Sequence, residues 1–384
     1  MPPGDTVRFL HSSDWQLGMT RAFLSEEAGA RFSQARIDAV TRLGELAAEH
    51  DAEFLVVAGD VFESNQLSRQ TVGRTVEALR ALPVPVFLLP GNHDPLDASS
   101  LYRGDSLAGV GDSVTVIRDT SPIPVPGRPD VEIVGAPWRS KHPSGDLCAA
   151  MLRQLDPAVG VRRIAICHGQ VDSLAPDTSR PEIIDQAAAE AAIAGRLIHY
   201  LALGDRHSVT AVGDSGRIWY SGAPVATDFD EVDPNRALLV ELEGEEGCRV
   251  DSLAVGQWRF IAAQHDLNSA ADLQKLGGWL EALPDKERCA IKLGLTGSIN
   301  LATAAQLDAL LDANQHLFAS LRRRERTTDL AVLPDELDRD SVSLHGYAKA
   351  AWDELLHSAH DDPEARDALR LFYRLSRSGA PACD

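Results

Sequence analysis

Positive charge is scarce in this chain. Its 384 residues carry 37 Lys and Arg against 57 Asp and Glu, a formal net charge of -20. Proteins that grip nucleic acid by broad electrostatics neutralise many backbone phosphates, so the bare chain is a poor non-specific nucleic-acid binder. A nuclease is not excluded, because metal ions or a partner can supply local positive charge. Cysteine is sparse as well: positions 148, 167, 248, 289 and 383, odd in number and without a C-x-x-C pair. That argues against a disulfide framework or a structural zinc site and fits a reducing, cytoplasmic setting. No run approaches the ~18 apolar residues of a membrane span. The stretch from Met1 to Thr6 is polar, so no secretion leader is expected.

What is present is ordinary in amount and distinctive in order. Hydrophobic residues make up 44% and charged residues 24%, a globular composition with length for two to three domains. From residue 7 to about 245, short apolar runs alternate with amphipathic stretches. Val7 to Leu10, Phe54 to Ala58, Val84 to Leu89, Val131 to Val134, Arg163 to Cys167 and Tyr200 to Leu203 read as strands. Helices are expected after Ser25, near Arg69 to Leu82 and over Ile183 to Gly195. This rhythm predicts an α/β layered fold. Ile218 to Tyr220, Ala237 to Leu242 and Val250 to Val255 follow without helices, as if forming a second, antiparallel sheet.

Six segments, far apart in sequence, put a metal-ligating side chain just past an apolar run. They hold Asp14 and Gln16; Asp60; Asn92 with His93; His168; Asp205 with His207; and, less regularly, Ser221. Open α/β sheets place their sites at these strand ends. Asp60 after Gly59 reads equally as a turn residue. Asn92-His93-Asp94 alone reads as a turn or cap, and His168 alone as a core histidine. Their conjunction points to a metal site. Carboxylate, amide oxygen and imidazole together suit manganese, iron or zinc better than calcium. Such a site holds two ions about 3.5–4 Å apart and hydrolyses phosphoesters. His93, beside Asn92, is placed to protonate the leaving oxygen or stabilise the transition state.

The ordered set Asp14, Gly59-Asp60, Gly91-Asn92-His93-Asp94, His168-Gly169 and Gly204-x-x-His207 resembles the calcineurin-like metallophosphoesterase superfamily. The wording of Phe9 to Gly18, Gly59 to Phe62, Tyr200 to Gly204 and Tyr220 to Pro224 resembles its SbcD-type nuclease subunits. The resemblance implies a four-layered α/β/β/α sandwich with a small α+β capping domain and C-terminal helices. It implies two divalent ions, manganese, and phosphodiester hydrolysis in DNA during double-strand-break processing. One ion would take Asp14, Gln16, Asp60 and His207; the other Asp60, Asn92, His168 and Asp205; His93 would be catalytic. The implied partners are DNA, an SbcC-type coiled-coil ATPase and a second copy in a homodimer. Residues 1-255 would be the nuclease domain, 256-326 the DNA-facing cap, 327-343 a linker, and 344-384 partner-binding helices.

Two ligand positions depart from the family pattern, and Glu63 stands where the family usually has Asp. Position 16, where the family has His, is Gln, and position 205, also usually His, is Asp. Asp205 is a plausible hard ligand; Gln16 offers only a neutral amide oxygen, and ligation or a supporting role are equally open. A weakly active DNA-binding subunit with a degraded metal site, or a small-nucleotide phosphodiesterase, are the alternatives to a nuclease. Arg322, Arg323, Arg324 and Arg326 form the densest basic cluster, either a phosphate contact or a blunted strand edge. Arg206 could touch a phosphate or face away. Trp15 and His11 read as packing and structural residues.

Overall fold

The computed structural model describes residues 6–157, 160–244, 247–333 and 345–358, and in the tail 362, 364, 365, 368, 369, 371 and 372. In chain order the first unit runs β1 (Thr6–Ser12), α1 (Glu26–Glu49), β2 (Phe54–Val57), α2 (Arg69–Arg80), β3 (Val86–Leu88), β4 (Val114–Val116), β5 (Ile123–Val125), β6 (Arg128–Gly135), α3 (Leu147–Leu152), β7 (Arg162–His168), α4 (Gln186–Ala194), β8 (Tyr200–Gly204), β9 (Val209–Val212), β10 (Ile218–Ser221), β11 (Arg236–Glu243) and β12 (Gly247–Ala254). The second holds β13 (Arg259–Leu267), α5 (Ala270–Ala282), β14 (Cys289–Asn300), α6 (Leu301–Gln315), β15 (Ser320–Arg323), β16 (Asp329–Leu333) and α7 (Tyr347–Ser358). The division falls between Arg259 and Phe260.

Two six-stranded sheets form the first unit, ordered β12-β11-β1-β2-β3-β4 and β5-β6-β7-β8-β10-β9. β1 to β4 are parallel, as are β6, β7, β8 and β10. Between the sheets lies an apolar layer of Phe9, Phe54, Val56 and Phe87 from one and Val131, Ile164, Ile166 and Tyr200 from the other. Phe54 stacks on Phe9 at 5.0 Å and meets Phe87 edge-on at 6.0 Å. Burying each such ring is worth roughly 1.5–3 kcal/mol. α1 and α2 cover the first sheet's outer face through Val40, Leu43 and Leu79. α3 and α4 cover the second through Met151, Ala189 and Ile193. The result is the expected α/β/β/α sandwich.

Helix starts follow local chemistry. Ser25, Ser68, Asp146 and Asp185 cap α1, α2, α3 and α4, each accepting a backbone N–H three residues on. The last of these starts later than the sequence pattern implies, because Ile184 bridges to Val171 instead of joining the helix.

The expected antiparallel second sheet does not form from β10, β11 and β12. β10 extends the β6-β7-β8 sheet, whereas β11 returns to the first sheet and pairs antiparallel with β1. Leu238, Val240 and Leu242 face the inter-sheet layer while Ala237 and Leu239 face the opposite side. A strand buried on both faces reads as one continuous apolar run, and such a run does not reveal which sheet it joins.

In the second unit, β13, β14 and β15 form a sheet that β16 extends against β14. α5 and α6 place Leu273, Leu276, Leu280 and Leu307 in its core with Ile291 and Leu293. Residues 329–333, expected to begin a linker, are instead β16, held by parallel register from Thr296↔Asp329 to Asn300↔Leu333. Their apolar pattern is too short to stand out beside flanking Asp residues. The rest of the expected linker lies outside the described residues. In the tail, Trp352 is buried and its ring lies 6.0 Å from Phe372, and Leu369 is also buried. Tyr373 lies outside the described residues.

Candidate metal centre

The C-terminal ends of β1, β2, β3, β7 and β8 meet at one end of the sandwich. From them project Asp14, Asp60, Asn92, His168 and Asp205. Asp14, Asp60 and His168 each offer a ligand atom within 4.8 Å of the others, and all three are buried. The His168 Nε2 lies 2.7 Å from Asn92 Oδ1, 3.4 Å from Asp60 Oδ2 and 3.8 Å from Asp205 Oδ1. His207 Nε2 lies 3.8 Å from Asp14 Oδ1. The backbone amide of Asp205 donates to both Asp14 carboxylate oxygens, at 3.1 and 3.2 Å. Six of the seven expected ligands are thus joined in one network.

Close backbone approach makes this possible. A Cβ at Gly59 would sit 2.1 Å from His168 Nδ1, and one at Gly204 would sit 1.8 Å from the Ala58 carbonyl oxygen. Only glycine leaves room for His168 Nδ1 to donate to that carbonyl at 2.8 Å. With that proton fixed, Nε2 is the lone-pair nitrogen and turns toward the acids. Asp14, Gln16, Asp60 and Asp205 all adopt positive φ, at 54°, 44°, 51° and 94°. Aspartate tolerates this region; glutamine seldom enters it, so the turn at Gln16 is constrained by its surroundings.

Electrostatics favour a cation. Burial raises the Asp14 carboxyl above its usual range, and the nearby His207 and His168 only partly offset this. For Asp60, burial pushes upward but His168 and His93 pull it below the usual value. Burial would lower His168, yet Asp60, Asp14 and Asp205 drive it well above the ordinary imidazole value. His207 is likewise opposed by burial and raised to about 9, chiefly by its hydrogen bond to Glu231. Four oxygen donors, on Asp14, Asp60, Asn92 and Asp205, converge with two imidazoles on a largely buried volume that favours positive charge. Gln16 is 2% exposed, and its Oε1 has no hydrogen-bond partner. A buried orphan oxygen beside this cluster fits a missing cation as its partner.

His93 stands at the edge of the network. Its backbone N–H donates to Asp60 Oδ1 at 2.9 Å, and its ring Nδ1 lies 3.1 Å from the Glu63 carbonyl oxygen. The ring Nε2 is 4.0 Å from Asp60 Oδ2, and the side chain is 37% exposed. Asp94 holds the turn from beneath, accepting from Phe62 N, Gly91 N and Tyr102 Oη. Burial and the neighbouring Asp60 raise its carboxyl to about 7.

Ser221 is not at the ligand positions. Its Oγ bonds Ser13 Oγ at 2.8 Å, and Ser13 in turn donates to Asp14 Oδ2 at 2.6 Å. It braces Asp14 from behind. Arg206 turns its Nε to Thr210 Oγ1 at 2.9 Å. His11 is buried between Tyr200 Oη and the Leu203 carbonyl, and burial lowers it to about 3. Trp15 is buried with its Nε1 on Ser12 Oγ. In the second unit, Arg322, Arg323, Arg324 and Arg326 are exposed, and Arg323 pairs with Asp308.

Sequence reasoning missed Glu231 and Thr227, which meet His207 Nδ1 at 2.9 and 2.6 Å. They lie in an acidic loop with no motif to mark them. A cavity of about 290 Å³ opens beside them, lined by Asp205, Arg206, His207, Asp228, Asp230 and Glu231 among others.

A calcineurin-like phosphoesterase family model matches residues 7–186. Along most of its length the chain is similar to the D subunit of nuclease SbcCD from Rhodobacter capsulatus, 26% identical over 87% of this chain and 92% of that protein. It is 25% identical to the D subunit of nuclease SbcCD from Escherichia coli K12 over 59% of this chain and 62% of the relative. It is 29% identical to the DNA double-strand break repair protein Mre11 of Archaeoglobus fulgidus over 42% of this chain and 39% of that one. The matched residues include Asp14, Asp60, Asn92, His93 and His168, at the strand ends where the geometry gathers them. Residues 7–186 of this chain are a calcineurin-like phosphoesterase domain.

Proposed function

We propose that the protein is a metal-dependent DNA nuclease subunit that hydrolyses phosphodiesters in double-strand-break processing. The observation that carries this reading is the buried convergence of Asp14, Asp60 and His168 in a chain similar to an SbcCD nuclease component along most of its length. Asp14, Gln16, Asp60 and His207 would hold one divalent ion; Asp60, Asn92, His168 and Asp205 would hold the other. Manganese suits this oxygen-rich donor set. Two such ions supply a nucleophile at neutral pH and offset phosphoryl charge.

The protein's own groups do the rest. Asp60 stands between the two sets and accepts from the His93 backbone, which ties the proton donor to the shared ligand. With Nδ1 directed at the Glu63 carbonyl, Nε2 of His93 is left to meet the leaving oxygen. Ala58 and Glu231 fix the tautomers of His168 and His207 so that both Nε2 atoms face the acids.

The same reading extends to partners. The similarity to SbcCD components points to an SbcC-type coiled-coil ATPase, with residues 344-384 as its docking helices, and to a homodimer in the cytoplasm. Trp352 and Leu369 are already buried, so docking would use what remains exposed, including Tyr347 and Leu371. No described helix is long and apolar enough to cross a membrane. The 256-326 segment, seen as an α+β sheet unit from residue 260, would face DNA.

One rival is a phosphodiesterase for a small nucleotide: the cavity beside Asp205 and His207 gives room for a small ligand, while its acidic lining opposes an anion. An assay separates them. Purified protein with manganese is offered linear duplex DNA, single-stranded DNA and an aryl or cyclic-nucleotide diester. Manganese-dependent DNA cleavage is expected; cleavage of the small diester alone would overturn the nuclease reading. Activity gained only in Gln16→His would instead identify a degraded site.

A further inference from the structure

Arg36 is the one charged side chain of α1 that the structure buries, at 1% exposure. Among the described residues, none offers its guanidinium a carboxylate within hydrogen-bonding range. Nη1 donates to the Trp15 carbonyl at 2.8 Å; Nη2 donates to Met19 Sδ at 3.1 Å and to the Ala226 carbonyl at 3.4 Å. Nε has no partner. The Phe32 ring lies beneath it, 4.7 Å from its carbon. Burial of an arginine against neutral acceptors is costly, and a core of this kind is served better by an apolar residue. The placement of those acceptors gives a reason for it.

Trp15 lies between Asp14 and Gln16, so its carbonyl belongs to the turn that carries two candidate ligands. Both flanking residues hold positive φ, at 54° and 44°, and at Gln16 this is a conformation that the surroundings must impose. Ala226 precedes Thr227, whose Oγ1 meets His207 Nδ1 and whose backbone amide donates to Glu231 at 2.9 Å. Arg21 adds a second tie, donating to the Thr227 carbonyl at 2.9 Å through Nε. One guanidinium thus spans the turn carrying Asp14 and Gln16 and the loop that holds His207. The loop's acceptor, Ala226, lies 190 residues from Arg36 in sequence.

We propose that Arg36 is a positioning residue, a buried latch that keeps the Asp14–Gln16 turn and the His207-bearing side in register for one of the two metal ions. This rests on the metal-centre reading above. The hydrogen bonds of Arg36 reach Trp15, Met19 and Ala226 and none reaches Asn92 or His168, so its influence is one-sided. The long side chain and forked donors suit arginine to this place: its two terminal nitrogens serve the two carbonyls separately, where a lysine offers one nitrogen without the fork.

Manganese binding by wild-type protein, Arg36→Met, Arg36→Lys and Phe32→Leu is measured by titration calorimetry and by the paired-ion signal in electron paramagnetic resonance. Thermal unfolding reports folding. In Arg36→Met, or in Arg36→Lys should the first not fold, one of the two ions weakens about 10–100-fold while the other keeps its affinity. Phe32→Leu, which trims the ring beneath the guanidinium and leaves its hydrogen bonds, lowers the melting temperature without changing either affinity. Folded Arg36 variants that bind both ions as wild type does would overturn the inference and leave the metal centre standing. Equal weakening of both ions, shared by Phe32→Leu, would also overturn it. Wild-type protein that takes up no manganese would overturn the metal-centre reading itself.

Discussion

The two sides of the site are held in different ways. Around Asp60, Asn92 and His168, the supports are backbone atoms at strand ends. Ala58 fixes the His168 ring, the His93 amide fixes Asp60, and Gly59 and Gly204 leave the space. Around Asp14, Gln16 and His207, the supports are side chains from distant segments: Ser13 and Ser221 behind Asp14, Glu231 and Thr227 behind His207, and Arg36 across the gap. The first side is preorganised by the sheets. The second depends on loops and carries one departure from the family pattern, Gln16; the other, Asp205, belongs with His168 on the first side, although its amide donates to Asp14.

The largest expected effect tests what the sides share. Asp60→Asn should reduce manganese-dependent hydrolysis at least about 10³-fold, since a lost bridging carboxylate removes several kcal/mol of charge stabilisation. A modest loss in a turnover assay would mean that the two sides work independently. Next, Glu231→Ala should weaken one manganese ion about 10–100-fold by freeing the His207 ring. Calorimetry reads it, and equal weakening of both ions would erase the distinction between the sides. Gln16→His should act in the opposite direction, tightening the same ion by about tenfold, because imidazole is a stronger donor than an amide oxygen. Unchanged affinity would remove Gln16 from the coordination shell.

The smallest effect lies beneath both sides. His11 has its pKa lowered by burial from 6.5 to about 3. The unfolded chain therefore takes up a proton that the folded protein refuses as pH falls through 6.5. The stability owed to neutral His11 is full above that pH and is lost as pH falls toward 3, at about 1.4 kcal/mol per pH unit. Denaturant titrations at pH 7.5, 6.5 and 5.5 should show this slope in wild type and a shallower one in His11→Gln. Equal slopes would place the acid sensitivity in the metal-site carboxylates instead.

Much of this arrangement was legible in the chain. The β-α rhythm to residue 245 predicted the layers, because period and turn residues are local properties. Ser25 and Asp60 sit where their flanking runs put them. The ligand order was legible because each residue follows its own strand. β11 was not assigned correctly: Leu238, Val240 and Leu242 look the same whether their partner is β10 or β1. β16 was lost among Asp residues, and α4 began three residues late because Ile184 found a bridge partner 13 positions upstream. Glu231, Thr227 and Arg36 carried no signal, since a glutamate in an acidic loop and an arginine in a helix are common.

The sequence by itself determined which chemistry is available: five oxygen donors and two imidazoles at strand ends, with His93 beside one of them, and a net charge of -20. Those are properties of residue type and of position relative to a strand, and both are written locally. Only the tertiary structure decided how the donors are oriented. That depends on which carbonyl a ring nitrogen meets, which glycine leaves room, and which buried guanidinium spans two loops. Such contacts join residues as much as 190 positions apart, and they exist only once both sheets have closed on a common core.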